Sequence, residues 1–162
     1  DNFKKRVAEH VIRPTPVSFV SDAKKDSKEK IFYYTPNFTL QKNIYDANGK
    51  LMFLAGTTVN PLNEAQVKKI VPDAVIPSFN ETLIFINADR KSQINWTKQK
   101  IKSIQGIYKI ILVKGNLKKA SNALGRIYFD ESGVLCHLFH INRVPAIVTR
   151  NGVRLKIKES PV

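Results

Sequence analysis

The chain has a single cysteine, Cys136, in 162 residues. It therefore cannot close an intramolecular disulfide, and thiol–disulfide exchange within one motif, which requires a second sulfur, is excluded. Carboxylates are scarce as well: Asp and Glu number 13 against 27 Lys and Arg, leaving a formal charge of +14. No apolar run approaches the roughly 20 residues that a membrane-crossing helix needs. Neither a glycine-rich phosphate loop nor a Gly-x-Ser-x-Gly elbow occurs, so the common signatures of phosphoryl and acyl transfer are missing. Aromatic residues make up 9% of the chain. They are not interleaved with the basic residues in the manner of a nucleic-acid module.

The remainder describes a folded chain. Hydrophobic residues reach 43%, enough for a core in a chain of one domain's length with a small annex. The positive charge is uneven, with nine basic and two acidic side chains in residues 81–125. Such an excess favours acidic partners, whether a protein face, anionic lipid or nucleic acid. The first residue is Asp1, preceded by no charged and apolar leader, which fits a processed signal peptide or a cut chain.

Residues 2–13 read as the end of a helix, with Phe3, Val7 and Val11 on one stripe, stopped by Pro14. Residues 18–30, rich in Ser, Asp and Lys without periodicity, read as a mobile linker. Strands over 38–45 and 51–54 around Asn48-Gly49 form a hairpin module. A short helix over 63–71 follows, with proline breaks at Pro72 and Pro77. From residue 81 the pattern changes to strand 82–87, a helix over 90–104 capped by Asp89, and strand 108–113. A helix opened by Asn116 and closed by Gly125 comes next, then strand 127–129 and a helical turn over 135–139. Strands from Val144 and from Val153, around Asn151-Gly152, end the pattern. On the first long helix Ile94, Thr97, Ile101 and Ile104 make one face and Lys91, Lys98 and Lys102 another. The predicted organisation is 1–37 as helix end and linker, 38–80 as hairpin module, and 81–162 as an α/β domain with a mixed sheet flanked by helices.

Candidate chemistry is thin. Cys136 lies between leucines and reads as a buried small hydrophobe. His137 and His140 lack the partners of a four-ligand zinc site. Asp130 and Glu131 read as helix-capping residues rather than an acid–base pair. No catalytic, cofactor-binding or metal-binding residue is expected.

The string Phe139-His140-Ile141-Asn142-Arg143-Val144-Pro145-Ala146 resembles the cis-proline segment of thioredoxin-like domains. The place where such enzymes carry their dithiol here reads Asp89-Arg90-Lys91-Ser92-Gln93. That likeness implies a thioredoxin-like sheet and a corner able to bind extended segments, with Phe139, Ile141, Val144, Pro145, Arg90 and Lys91 as its protein-binding residues. Further strings occur in order: Asn60-Pro61-Leu62, Phe79-Asn80-Glu81-Thr82-Leu83-Ile84-Phe85-Ile86-Asn87, Lys109-Ile110-Ile111-Leu112-Val113-Lys114-Gly115, Arg126-Ile127-Tyr128-Phe129-Asp130 and Gly133-Val134-Leu135-Cys136. Over residues 5–158 they resemble the TraW family, periplasmic proteins of F-type conjugative type IV secretion systems. The stretch 63–76 is longer than that family's pattern. The resemblance implies a non-enzymatic adaptor of pilus assembly in the periplasm, acting with a TrbC-like protein and more loosely with TraU-like envelope components. It implies no cofactor, no stable nucleic acid and no membrane insertion. A basic nucleic-acid-contacting module and a residual thiol–disulfide oxidoreductase are the alternatives. Oligomeric state is left open.

Overall fold

The computed structural model describes residues 2, 4, 5, 12–72 and 80–162. The chain divides into two compact units, one of residues 1–32, 80–149 and 156–162, the other of 33–79 and 150–155. The apolar stripe expected on an N-terminal helix, and the break at Pro77, fall outside the described residues.

In the first unit, β7 (Thr82–Asn87), β8 (Tyr108–Lys114) and β9 (Ile127–Phe129) form a parallel ladder. Their runs, Thr-Leu-Ile-Phe-Ile-Asn and Tyr-Lys-Ile-Ile-Leu-Val-Lys, carry apolar residues on both sides, as strands covered on both faces must. Helix α2 (Lys91–Ile101) joins β7 to β8, and α3 (Leu117–Leu124) joins β8 to β9. One core gathers Ile84, Ile86, Ile110, Leu112, Ala120 and Leu124, with Ile94, Trp96, Ile101 and Ile104 packed against it. Each isoleucine or leucine fully removed from water there contributes about 1.5–3 kcal/mol. The opposite sheet face holds Phe85, edge-on to Phe139 at 6.2 Å.

The expected helix face is present, and Thr97 is buried with its hydroxyl donating to Gln93 O at 2.8 Å. The helix ends three residues early, however. Ser103 and Ile104 donate back three residues as turns before Gly106, whose φ is +93°. Its expected cap also differs. Arg90 occupies the N-cap without a side-chain bond. Asp89 accepts instead from Arg13 Nη1 at 2.9 and 2.8 Å. Asn116 does cap α3, accepting from Lys119 N, and Gly125 closes it at φ +85°.

After β9, a 3₁₀ turn (Glu131–Gly133) leads into α4 (Val134–Leu138). The chain then passes through β10 (Arg143–Val144), a cis Val144–Pro145 peptide, β11 (Ala146–Asn151) and β12 (Arg154–Glu159). β11 runs antiparallel to β7, with Ala146 opposite Phe85. Residues 18–30 are not the structureless linker their composition predicts. β1 (Ser21–Asp22) pairs in parallel with β10, and β2 (Lys30–Tyr34) joins the main sheet, whose order is β2-β12-β11-β7-β8-β9. Both strands are stabilised by partners more than 100 residues away, which leave no local periodicity to read.

In the second unit, β4 (Ile44–Tyr45) and β5 (Leu51–Phe53) form the expected hairpin. Asp46 Oδ1 closes its turn by accepting from Asn48 N and Lys50 N, each at 2.9 Å. The single strand expected over 38–45 is broken: β3 (Phe38–Thr39) pairs with β6 (Thr58–Val59). Helix α1 (Glu64–Ile70) opens on Asn63, whose side chain accepts from Gln66 N. Arg150 Nη2 donates to Leu62 O at 3.0 Å, and Asn60 Nδ2 to Val153 O at 2.8 Å.

Candidate functional site

The end of β7, the start of α2 and the cis-proline link converge on one corner of the first unit. Gln93 reaches back across it, accepting from Asn87 N at 2.8 Å while its Nε2 donates to Asp22 Oδ1 at 2.6 Å. Asn87 Nδ2 donates to the same carboxylate at 3.1 and 3.3 Å, and Asn87 Oδ1 accepts from Asp89 N at 2.9 Å. Two buried amides thus find their acceptor on a single carboxylate, as burial of polar groups demands.

That carboxylate belongs to the segment 17–23, which lies along the corner. Val17 N donates to Val113 O, Ser21 N to Asn142 O and Ala23 N to Val144 O, at 2.9, 3.0 and 2.8 Å. The groove expected to receive an extended partner is therefore occupied by the chain's own backbone. A cavity of about 100 Å³ remains between this segment, Asn87, Lys114 and Val144.

Of the six expected contact residues, Ile141, Val144 and Pro145 are fully buried and Phe139 nearly so. They face the interior and offer no side chain to a partner, so of the six only Arg90 and Lys91 are exposed to solvent. The link ahead of the proline is held by Glu159, a buried carboxylate whose Oε2 accepts from Asn142 N at 3.1 Å and Arg143 N at 3.2 Å. The sequence does not single out Asp22, Asn87, Gln93 or Glu159. The one available signal was Gln93 and Thr97, polar residues a helical turn apart on a face otherwise apolar.

Asp130 caps α4, accepting from Leu135 N at 2.8 Å and Cys136 N at 2.9 Å. Cys136 has no exposed surface. Burial pushes its thiol well above the usual cysteine range, and the hydrogen bond and negative charge of Asp130 add to the shift. The nucleophilic form is the thiolate. Ellman's reagent is therefore expected to modify the native protein at neutral pH at least about a hundredfold more slowly than the denatured chain. Modification at the rate of a free thiol would contradict this burial. Because the folded pKa is raised, the folded chain keeps a proton that the unfolded chain loses. The thiol's contribution to stability is thus whole below about pH 8.5 and falls as pH rises beyond it.

His137 packs edge-on against Phe19 at 6.4 Å. Among the described residues, no three His, Cys, Asp or Glu side chains converge as metal ligands, and no helix is long and apolar enough to cross a membrane.

These features define a mixed α/β protein whose cis-proline corner is closed by its own N-terminal segment, with its one thiol sealed in the interior. Comparison with characterised proteins gives it a relative. The chain is similar to the protein TraW of Escherichia coli strain K12, with 34% identity over 150 residues, or 92% of this chain. It spans 64% of the length of that relative. No family model matches the chain, and no solved structure matches it.

Proposed function

We propose that the chain is a non-enzymatic periplasmic adaptor of F-type conjugative pilus assembly and type IV secretion, working by binding partner proteins such as a TrbC-like component. The observation that carries this reading is the 34% identity to TraW along nearly the whole chain. A thioredoxin-like origin for the first unit belongs to the same proposal. It is supported by the parallel β7–β8 pair, the antiparallel β11 beside β7, and the cis proline that opens β11. A thiol mechanism is disfavoured by the burial of Cys136 and its raised pKa. In this reading the corner has exchanged its chemistry for an internal strap, and docking falls to other surfaces. The basic excess, +14 over the whole chain, accelerates encounter with acidic partner faces more than it deepens affinity.

Transfer of a conjugative plasmid deleted for this coding region is the test. The wild-type gene and Cys136→Ala are expected to restore transfer to the same level. Failure of the wild type to complement would remove the conjugative reading. Loss of transfer by a folded Cys136→Ala protein would return a thiol activity to consideration.

A further inference from the structure

Residues 90–129 carry ten basic side chains and no carboxylate. Within that stretch a groove of about 280 Å³ runs between Ile107, Tyr108, Lys109, Leu124, Arg126 and Tyr128. Ile107 is 65% exposed, and Tyr108 and Tyr128 are each 37% exposed. An isoleucine left in water forgoes about 1.5–3 kcal/mol of burial. Gathered with two tyrosines and an arginine, it has the composition of an interface centre. The cations are close: Lys109 Nζ lies 5.7 Å and the Arg126 guanidinium 5.4 Å from the Tyr128 ring centre. Lys109 already pairs with Glu81 at 3.1 Å. Among the described residues no carboxylate pairs with Arg126.

The groove adjoins a sheet edge, since among the described residues β9 ends the order β2-β12-β11-β7-β8-β9. Asp130 N donates to Leu112 O, toward β8. Backbone groups alternate sides along a strand, so Tyr128 also turns its N–H and C=O to β8, while Ile127 and Phe129 turn theirs to the open edge. An edge of this kind is a template for another chain.

We propose that β9 and its groove receive an extended acidic segment of a partner protein. The segment adds a strand beside β9, seats an apolar side chain against Ile107 and Leu124, and sets a carboxylate against Arg126. This deepens the adaptor reading, on which it rests for the existence of such a partner. Two features favour a polypeptide over a nucleic acid. Cations already lie over the Tyr128 ring that a base would stack on, and the outward N–H and C=O groups are matched by another main chain.

The test uses the full ¹⁵N-labelled chain and four probes: an alternating glutamate–valine octapeptide, its lysine–valine counterpart, octaglutamate and a thymidine octanucleotide. The glutamate–valine peptide is expected to shift the amide signals of Ile127, Phe129 and Ile107, and to slow hydrogen exchange at Ile127 and Phe129. Arg126→Glu and Ile107→Ser, both at exposed positions, are expected each to weaken it about tenfold. No shift along β9 would overturn the proposal. So would octaglutamate binding equally well, which would mean charge alone, or preference for the oligonucleotide, which would mean a nucleic-acid surface. Because the probes are synthetic, such failures leave plasmid complementation to judge the adaptor reading separately.

Discussion

An Asp130→Ala variant is expected to be about 3–6 kcal/mol less stable than the parent, on the basis of two hydrogen bonds to a charged acceptor at about 1.5–3 kcal/mol each. Asp130 is 2% exposed and receives Leu135 N–H and Cys136 N–H, the second and third amides of a five-residue helix too short to persist alone. Alanine leaves both amides without an acceptor, and Cys136 N sits in the interior. Domains of this kind are stable by only about 5–15 kcal/mol in total, so the variant loses a large share of that margin. Asp130→Asn keeps the shape and one oxygen, and is expected to recover roughly half of the loss. Urea titration followed by circular dichroism measures both. A cost below about 1 kcal/mol for the alanine variant, the value of an exposed cap, would contradict the arrangement of α4.

Asp22→Ala is the second large effect. It removes the shared acceptor of Gln93 Nε2 and Asn87 Nδ2. Both side chains are buried; Gln93 Nε2 keeps only a long bond to Val144 O at 3.5 Å, and weakening one donor while stranding the other costs about 2–4 kcal/mol. The consequence is local as well as global, because β1 is only two residues long and Asp22 ties it to α2 and β7. Hydrogen exchange at Ser21 and Ala23, whose amides donate to Asn142 O and Val144 O, is expected to accelerate about a hundredfold relative to protected amides of β8. Unchanged exchange at these two amides would show that the segment is held by its backbone bonds alone.

The interior of the first unit was legible where a local signal existed. The apolar runs at 82–87 and 108–113 announce covered strands, and Asn116 and Gly125 mark the ends of α3 by chemistry that acts within four residues. Asn63 does the same for α1. Ser21-Asp22 carries no such signal. Its partner, Arg143-Val144, is fixed only when the whole unit assembles, so a polar, Lys-rich stretch read as a linker becomes the strap over the corner. The corner shows the same division. The Val-Pro link was found from its sequence, and its peptide is cis. A string of residues does not reveal which side chains turn inward, and Phe139, Ile141, Val144 and Pro145 prove to be core. The carboxylate that organises the corner, Asp22, lies 65 residues from Asn87 and 71 from Gln93. Asp89 looked like the cap of α2 by position, and Arg13 claimed it.

The most direct measurement is co-purification of this chain with a TrbC-like partner at about 0.05 M and about 0.3 M salt, where screening of exposed charges differs more than twofold in range. The account predicts a complex at both, weaker at the higher salt because the basic surface contributes to encounter. Two folded proteins that elute apart at both salts would contradict the adaptor function at its centre.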